Sequence, residues 1–486
     1  MLTRLFRIEG LGHLSTLIAD DVAGVAAVVD PRRDVDAYLE AARELDLRIT
    51  HVVETHLHND YVSGGRDLAA LTGATHVIGS GARLAHEHRP LRDGATFEVG
   101  ALRFTARDTP GHTPEHVAYS VADAARGDDP ALLFTGGSLL IGAVGRTDLL
   151  GQEHAVDYAD DMHRSLHDVI LRHDDHVVVQ PTHGAGSLCA TGIASTPTST
   201  IGYERRHNAL LRVEDVEEFA KRLLHRQPTV PRYFARMRPT NQAGPALLGG
   251  RVPEPRPLSL DETRSAVAGG ALLLDLRPPA EHAVAHAAGS QSIPLGPSFG
   301  TWLGWVVEPD RPIVLVLHRP ADWDEAIRQA LRIGAEDSIV GHLRGGFGTW
   351  ADGGGPSESR GRLTVDQLAC ELDRGGPEAP LVIDVRQADE YAVGHVPGSV
   401  HITAGSLPER LAELPADRPI ATICASGLRA SVAASILRTN GFRDVSWVAS
   451  GVPAWRAAGH PIVRGEEPTD TPRPRRRAPA RAGAQR

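Results

Sequence analysis

One cysteine and a set of histidines carry the chemistry this sequence could perform. Cys424 follows the apolar run "IATI" at once and opens "CASGLRA", which leads into "SVAASILRTNG". The loop of Ala425, Ser426, Gly427 and Leu428 wraps toward a helix N-terminus, so its backbone N–H groups turn inward as an anion nest. The helix dipole adds partial positive charge there and Arg429 adds a full one. All three favour the thiolate, which is the nucleophile, and the same cradle suits a persulfide anion. Cys370, in "VDQLACELD", sits on an amphipathic helical pattern and reads as inert packing.

The histidines close a series of loops. "THLHND" supplies His56, His58 and Asp60, with Tyr61 next, and "DTPGHTPEH" supplies His112 and His116. "FTGGSLLIGAVGRTDL" gives a Gly-rich turn and Asp148, and "PTHGAGSLC" gives His183 and Cys189. Neutral imidazoles from different strand-end loops can converge on one ion and leave positions open, as a catalytic metal requires. Cys189 stands six residues after His183 in a Gly-rich loop that should face the same cleft. There it could bind or relay persulfide sulfur, or simply be buried.

Elements must position these groups. In the first half, "STLIAD", "VAAVVD", "ITHVVETH", "THVIGS", "LRFTARD", "HVAYSV", "ALLFTGG" and "HVVVQPTHG" are short apolar runs, most of them ending in polar loops. "DVDAYLEAARELD" reads as a helix with Asp34 or Asp36 near its start, and "VEDVEEFAKRLLHR" as a second amphipathic helix. "PTVPRYFARMRPTN" reads as irregular, and a linker falls near residue 250. The second half repeats itself: "DLRPPAEHAVAHAAGSQSIP" from Asp275 matches "DVRQADEYAVGHVPGSVHIT" from Asp384. Asp275/Asp384, Arg277/Arg386, Glu281/Glu390, His286/His395 and Gly289/Gly398 share their offsets, which points to duplication.

Composition narrows the classes. At 486 residues the chain should hold roughly two to four domains. A formal charge of -10 argues against a nucleic-acid binder, since phosphate contact needs clustered positive charge. Lys221 is the sole lysine, a compositional bias with no functional content. Three cysteines are too few for a disulfide framework. There is no secretory h-region and no apolar run of the roughly 18–20 residues a span needs, so a soluble cytoplasmic protein is expected. The Pro- and Arg-rich tail 466–486 should be a disordered basic segment.

The "DVR…E…GHVPGS" stretch, the "CASGLR" loop and the closing "GVPAW" resemble the rhodanese family of sulfurtransferases over residues 360–465. The resemblance implies Cys424 as nucleophile and Arg429 with Ala425–Leu428 as anion cradle. It implies a sulfane sulfur taken from thiosulfate or a thiol persulfide and passed to a thiophilic acceptor. The Cys424–Arg429 spacing is the shorter, sulfur-type loop; phosphatase-type loops carry one more residue. The earlier repeat resembles the family too, but His318 stands at the cysteine position and the loop Gly and Arg are absent, so it should be inactive.

The first half, with "TPGHTPEHV", "GRTDL", "PTHGAGSLC" and "TPTSTIGYERRHN", resembles the metallo-β-lactamase fold, nearest to its persulfide dioxygenase and glyoxalase-II-like branches. In the dioxygenases one Fe(II) is held by residues matching His56 and His112 and by an Asp of a "TGD" turn. Here the turn reads "TGG", with Gly137 at the Asp position. A two-metal thioester hydrolase would also need a His where Tyr61 stands, and so loses two ligands. What remains is a mononuclear Fe(II) or Zn site of His56, His58 and His112, with Asp60 or His183 replacing the carboxylate. Tyr61 and Cys189 would lie close to substrate.

The expected fold class is α/β: an N-terminal αββα sandwich followed by two rhodanese-like α/β domains with parallel sheets. The expected segments are the sandwich at 1–240, a linker at 241–255, an inactive rhodanese-like domain at 256–352 and an active one at 353–465. The expected function is sulfurtransfer fused to persulfide oxidation, tethering that raises the local persulfide concentration. The alternatives are a sulfurtransferase on a dead scaffold, a glyoxalase-II-like hydrolase, and a sulfane-sulfur carrier or sensor. The expected partners are a small thiol persulfide or thiosulfate, with no membrane or nucleic acid, and a second copy of the chain in a homo-oligomer.

Overall fold

A computed structural model describes residues 1–225 and 227–465; the tail 466–486 lies outside the described residues. The chain parts into two compact units. One comprises Met1–Ala271 with Leu295–Arg344, the other Leu272–Pro294 with the described residues from Gly345 on.

The first unit contains an αββα sandwich. One six-stranded sheet runs in chain order through Leu2–Ile8, His13–Asp20, Val25–Val29, Arg48–Val53, Thr75–Gly79 and Arg89–Leu91. Its first three strands are antiparallel and its last four parallel. The facing sheet orders Ser199–Thr200, Val178–Pro181, Pro130–Gly136, Val117–Asp123, Leu102–Asp108 and Thr96–Val99. Val29, Val53 and Val77 of the first sheet meet Phe97, Phe104, Tyr119 and Phe134 of the second in one core. Every residue of His13–Asp20 is buried, because this strand has a sheet on one face and helices on the other.

The outer layers follow from amphipathic spacing. Helix Asp36–Glu44 buries Tyr38, Ala41 and Ala42 at i, i+3 and i+4 against the first sheet. Helix Val216–Leu224 buries Phe219, Ala220 and Leu223 against the second, and its Asp215 cap accepts the Glu218 N–H at 2.8 Å. The stretch expected to be irregular instead forms helix Phe234–Ala243 with Pro239 inside it. Proline breaks helix periodicity in a sequence, yet here the turn holds because Phe234, Met237 and Asn241 are buried along one face. The same unit holds parallel strands Pro257–Leu258, Ile339–Leu343 and Ile313–Val316, with helices Phe299–Val306 and Asp322–Arg332.

The second unit pairs Leu272–Asp275 with Gln291–Ser292 and carries a five-stranded parallel sheet. That sheet orders Gly361–Leu363, Val445–Val448, Ile420–Ile423, Leu381–Asp384 and Val400–His401. Helix Val365–Arg374 packs Val365 and Leu368 inward, which turns Cys370 outward: it is exposed, and the inert packing expected for it is not what forms. Among the described residues no helix is long and apolar enough to cross a membrane.

Candidate functional sites: a cysteine loop and a histidine cluster

Cys424 leaves strand Ile420–Ile423 directly and is fully buried. Gly427 caps helix Leu428–Thr439 in a left-handed conformation, φ 97°, and a Cβ there would lie 2.3 Å from the Ala449 carbonyl oxygen. Only glycine fits. That turn brings the Gly427 N–H to 3.0 Å from Cys424 Sγ as donor. Gly451 closes on the loop from the other side, and the Val452 N–H donates to the Cys424 carbonyl at 2.8 Å. Arg429 lies fork-to-fork on Glu390, at 2.6 and 2.7 Å. Burial works against the Arg429 charge, but Glu390, and Cys424 after it, raise its pKa further. The arrangement can hold an anionic sulfur on a fixed backbone donor beside a locked cation. In the earlier repeat, His318 sits exposed just past strand Ile313–Val316.

The histidine loop follows strand Arg48–Val53, and every residue from Glu54 to Gly65 is buried. A buried loop must satisfy its backbone through specific partners. Asn241 on helix Phe234–Ala243 supplies three: its side chain donates to the His58 and Tyr61 carbonyls at 3.0 and 2.9 Å and accepts the Ser63 N–H at 2.8 Å. The Tyr233 hydroxyl donates to the Asp60 carbonyl at 3.2 Å, and the Val62 N–H reaches the Arg332 carbonyl at 2.7 Å. Arg332 is fixed in turn by two bonds to the buried Asp34, at 2.9 and 2.6 Å. Glu115, held by Arg238 at 2.9 and 2.7 Å, takes the Leu57 N–H at 3.0 Å.

Hydrogen bonds set the ring tautomers. The Thr55 hydroxyl donates to Asp30 at 2.9 Å and so accepts His56 Nδ1–H at 2.8 Å, leaving His56 Nε2 as a bare lone pair. His112 Nδ1–H donates to the Arg146 carbonyl at 2.8 Å, which likewise frees its Nε2. His116 accepts the Gly137 N–H at 2.9 Å through Nε2 and donates to Thr109 at 2.8 Å, so both its nitrogens serve the fold. His58 bonds Glu54 through Nε2 at 2.8 Å; its Nδ1 is buried with no hydrogen-bond partner among the described residues.

His183 joins the set from the loop after Val178–Pro181. Its Nε2 stands 3.4 Å from His56 Nε2, and its Nδ1 stands 3.2 Å from Asp60 Oδ2 without hydrogen-bond geometry. His56, His58 and His183 present nitrogens at metal-chelating separation, and His112, His183 and Cys189 bring two nitrogens and a thiol sulfur equally close. Asp60 therefore stands behind His183 as its charge partner, on the side of the ring away from His56. Asp30, left-handed at φ 50°, ties the cluster together: it takes the Thr55 N–H at 2.7 Å and the Thr182 hydroxyl.

Burial pushes His56 well below its ordinary pKa and, with His183 near, lowers His112 to about 3, so both are neutral donors. Burial also opposes charge on His58, but Asp30 and Glu54 overcome it and raise His58 to about 9. Burial opposes ionisation of Asp60 as well, yet His183 holds it down at about 2.

Gly137 lies where the resemblance places a liganding carboxylate. A Cβ there would meet His112 Cδ2 at 2.2 Å, and the His112 ring is anchored by its bond to Arg146. The ring occupies the side-chain space, so His183 is the third donor that the fold brings to His56 and His58. Tyr61 is fully buried and stacks on His58, with ring centroids 4.4 Å apart. Asp30, Glu54, Asn241, Tyr233 and Arg332 do not stand out in the sequence. Only Asp30 carries a signal there, as a polar residue closing the apolar run "VAAVV".

The rhodanese-like domain family matches residues 364–458. Over 208 residues, 42% of this chain, the sequence is 29% identical to the mitochondrial persulfide dioxygenase ETHE1 of Bos taurus, covering 73% of that protein. Over 136 residues, 27% of this chain, it is 36% identical to the hydroxyacylglutathione hydrolase of Methylococcus capsulatus, covering 49% of it. Among solved structures, a metallo-beta-lactamase from Staphylococcus aureus superposes with a TM-score of 0.63 at 30% identity, covering 70% of this chain and 98% of that one.

Proposed function

Because the chain is a fusion of a metallo-β-lactamase-fold domain with a rhodanese-like domain, we propose that it works in sulfane-sulfur metabolism. One half is a sulfurtransferase acting through a persulfide on Cys424; the other is a mononuclear-metal centre of the persulfide dioxygenase type. The observation that carries the first half is the Gly427 N–H aimed at Cys424 Sγ, 3.0 Å away, beside Arg429. The thiolate attacks the outer sulfur of thiosulfate, the S–S bond breaks, and sulfite leaves with the electron pair. The persulfide anion on Cys424 then rests against the loop N–H groups. An acceptor thiolate attacks its outer sulfur, which restores the Cys424 thiolate and gives the acceptor persulfide.

In the histidine cluster, His56, His58 and His183 would hold one divalent ion, Fe(II) or Zn, with His112 and Cys189 at its border. The buried, partnerless His58 Nδ1 fits such a group. An Fe(II) there would supply the electron transfer that O₂ needs to react with a persulfide. Asp60 supplies negative charge 3.2 Å from His183 Nδ1, Thr55 and the Arg146 carbonyl fix the tautomers of His56 and His112, and the buried loop keeps water out. The closure of His112 over Gly137 favours one alternative, a metal-free domain attached to a working sulfurtransferase. Bound iron together with O₂ uptake on glutathione persulfide supports the oxygenase half; neither signal, with thiosulfate transfer intact, leaves the sulfurtransferase alone.

A further inference from the structure

The repeat that lacks a cysteine reaches the histidine loops. Its residues Leu295–Arg344 belong to the same compact unit as the αββα sandwich. Helix Asp322–Arg332 follows the strand end where His318 stands in place of a cysteine. Its counterpart in the other repeat, Leu428–Thr439, turns its N-terminus to Cys424. Here the opposite end is in use. The Arg332 carbonyl takes the Val62 N–H at 2.7 Å, and a Cβ on the left-handed Gly334 would lie 3.2 Å from Val62 Cγ2. The helix is tied down by Arg332 on Asp34, at 2.9 and 2.6 Å, and by Arg328 on Asp36, at 2.9 and 2.8 Å.

Helix Phe299–Val306 touches both sides of the cluster. Gly304 lies so near Tyr233 that a Cβ would meet the ring Cδ1 at 2.6 Å, and the Trp305 carbonyl takes Arg232 Nε–H at 3.0 Å. The Thr301 hydroxyl donates to the Gly10 carbonyl at 3.0 Å, and a Cβ on Gly10 would strike the Pro297 carbonyl. Two residues on, the Gly12 carbonyl accepts the Gly184 N–H at 2.6 Å, and the Leu14 N–H donates to the Thr182 carbonyl at 2.7 Å. These two bonds flank His183. On its other side the Thr301 hydroxyl neighbours that of Tyr233, whose own proton goes to the Asp60 carbonyl at 3.2 Å.

We propose that residues 295–334 of the cysteine-free repeat act as a bracket that sets the spacing between the His58 loop and the His183 loop, with Thr301 as the positioning residue common to both. Ligands on separate loops hold an ion tightly only when the fold has fixed their separation beforehand. The bracket's use as a metal clamp rests on the metal centre proposed above; its grip on the two loops does not.

The experiment uses the full chain with Thr301→Val, which removes the hydroxyl and keeps the shape, and Thr301→Ser, which keeps the hydroxyl. Hydrogen–deuterium exchange read by mass spectrometry on the metal-free chain follows the peptides holding Val62 and Gly184. Release of Zn²⁺ to a colorimetric chelator follows the loaded chain. Thr301→Val should quicken exchange in both loop peptides, and Zn²⁺ release, by about fivefold, the scale of one lost hydrogen bond. Strand Leu102–Asp108 should keep its wild-type exchange. Thr301→Ser should bring both readouts back to within about twofold of wild type. Exchange that quickens in one loop alone, or equally in Leu102–Asp108, overturns the bracket. Zn²⁺ released at the wild-type rate from Thr301→Val also overturns it and leaves the metal centre standing. A wild-type chain that retains no Zn²⁺ removes the metal centre, and the two loop peptides then decide the bracket by themselves.

Discussion

The cysteine loop and the histidine cluster are built on opposite plans. The groups around Cys424 come almost entirely from six consecutive residues, with Glu390 and the Gly451 turn as the outside contributors. The histidine cluster draws His56, His58, His112 and His183 from three loops, and its backbone is held by Asn241, Tyr233 and the carbonyl of Arg332, all far along the chain. A local site should therefore fail only when struck directly. A distributed site should fail from a distance.

The largest expected effect tests the local plan. Cys424→Ser should lower thiosulfate-to-acceptor transfer on the order of 10³-fold or more, with bound metal unchanged; retained transfer would refute the nucleophile. Next comes Arg332→Ala, which removes two charge-assisted bonds from the buried Asp34 carboxylate and leaves it Arg32 at 3.3 Å and Arg328 at 3.6 Å; it should cost about 2–3 kcal/mol in urea unfolding. Burial would raise the Asp34 pKa, but Arg332 wins and holds it below its ordinary value. Its stabilisation is therefore complete above the unfolded pKa of about 4 and is lost as pH falls below that. Asp34→Asn should flatten the acid limb of the stability profile below about pH 4; an unchanged limb would dismiss the pair.

Asn241→Ala removes three loop bonds and should cost roughly 2–4 kcal/mol. If the plan is distributed, metal dissociation should also quicken in this variant although no ligand has changed. Asn241→Asp keeps the acceptor for Ser63 but turns a buried carboxylate oxygen onto the His58 and Tyr61 carbonyls, so it should do more harm than Ala; less harm would mean that the Ser63 contact carries the effect. Gly137→Asp should destabilise by about 1–3 kcal/mol through overpacking on His112, and bound metal should not rise. The smallest effect is at Cys370. A bulky maleimide should label this exposed thiol first, and Cys370→Ser should leave transfer and stability unchanged.

The same contrast explains what was legible. Cys424 could be found because strand, thiol, glycine, arginine and helix follow one another in the chain. Single strands and helices could be read because their periodicities are local, whereas the αββα layering came only through the resemblance carried by "TPGHTPEHV" and "PTHGAGSLC". His56, His58 and His183 could be named as candidates, but their grouping over Asp60 could not, because it depends on where separate loops end. Asn241 was hidden by Pro239, which makes its helix read as irregular chain. Cys370 was misread because an amphipathic pattern gives a helix its buried face, and a small residue beside that face can turn either way.

Gly137 has a consequence for mutational paths. With the His112 ring in the space a side chain would need, a carboxylate introduced at this position meets a closed site, and the ring's tether to Arg146 keeps it closed. A carboxylate placed there by one substitution must displace the ring and strain its bond to Arg146, so a second change that releases the ring should ease the first. A laboratory selection starting from this sequence should reach new donors at other positions before it restores a carboxylate in place of Gly137.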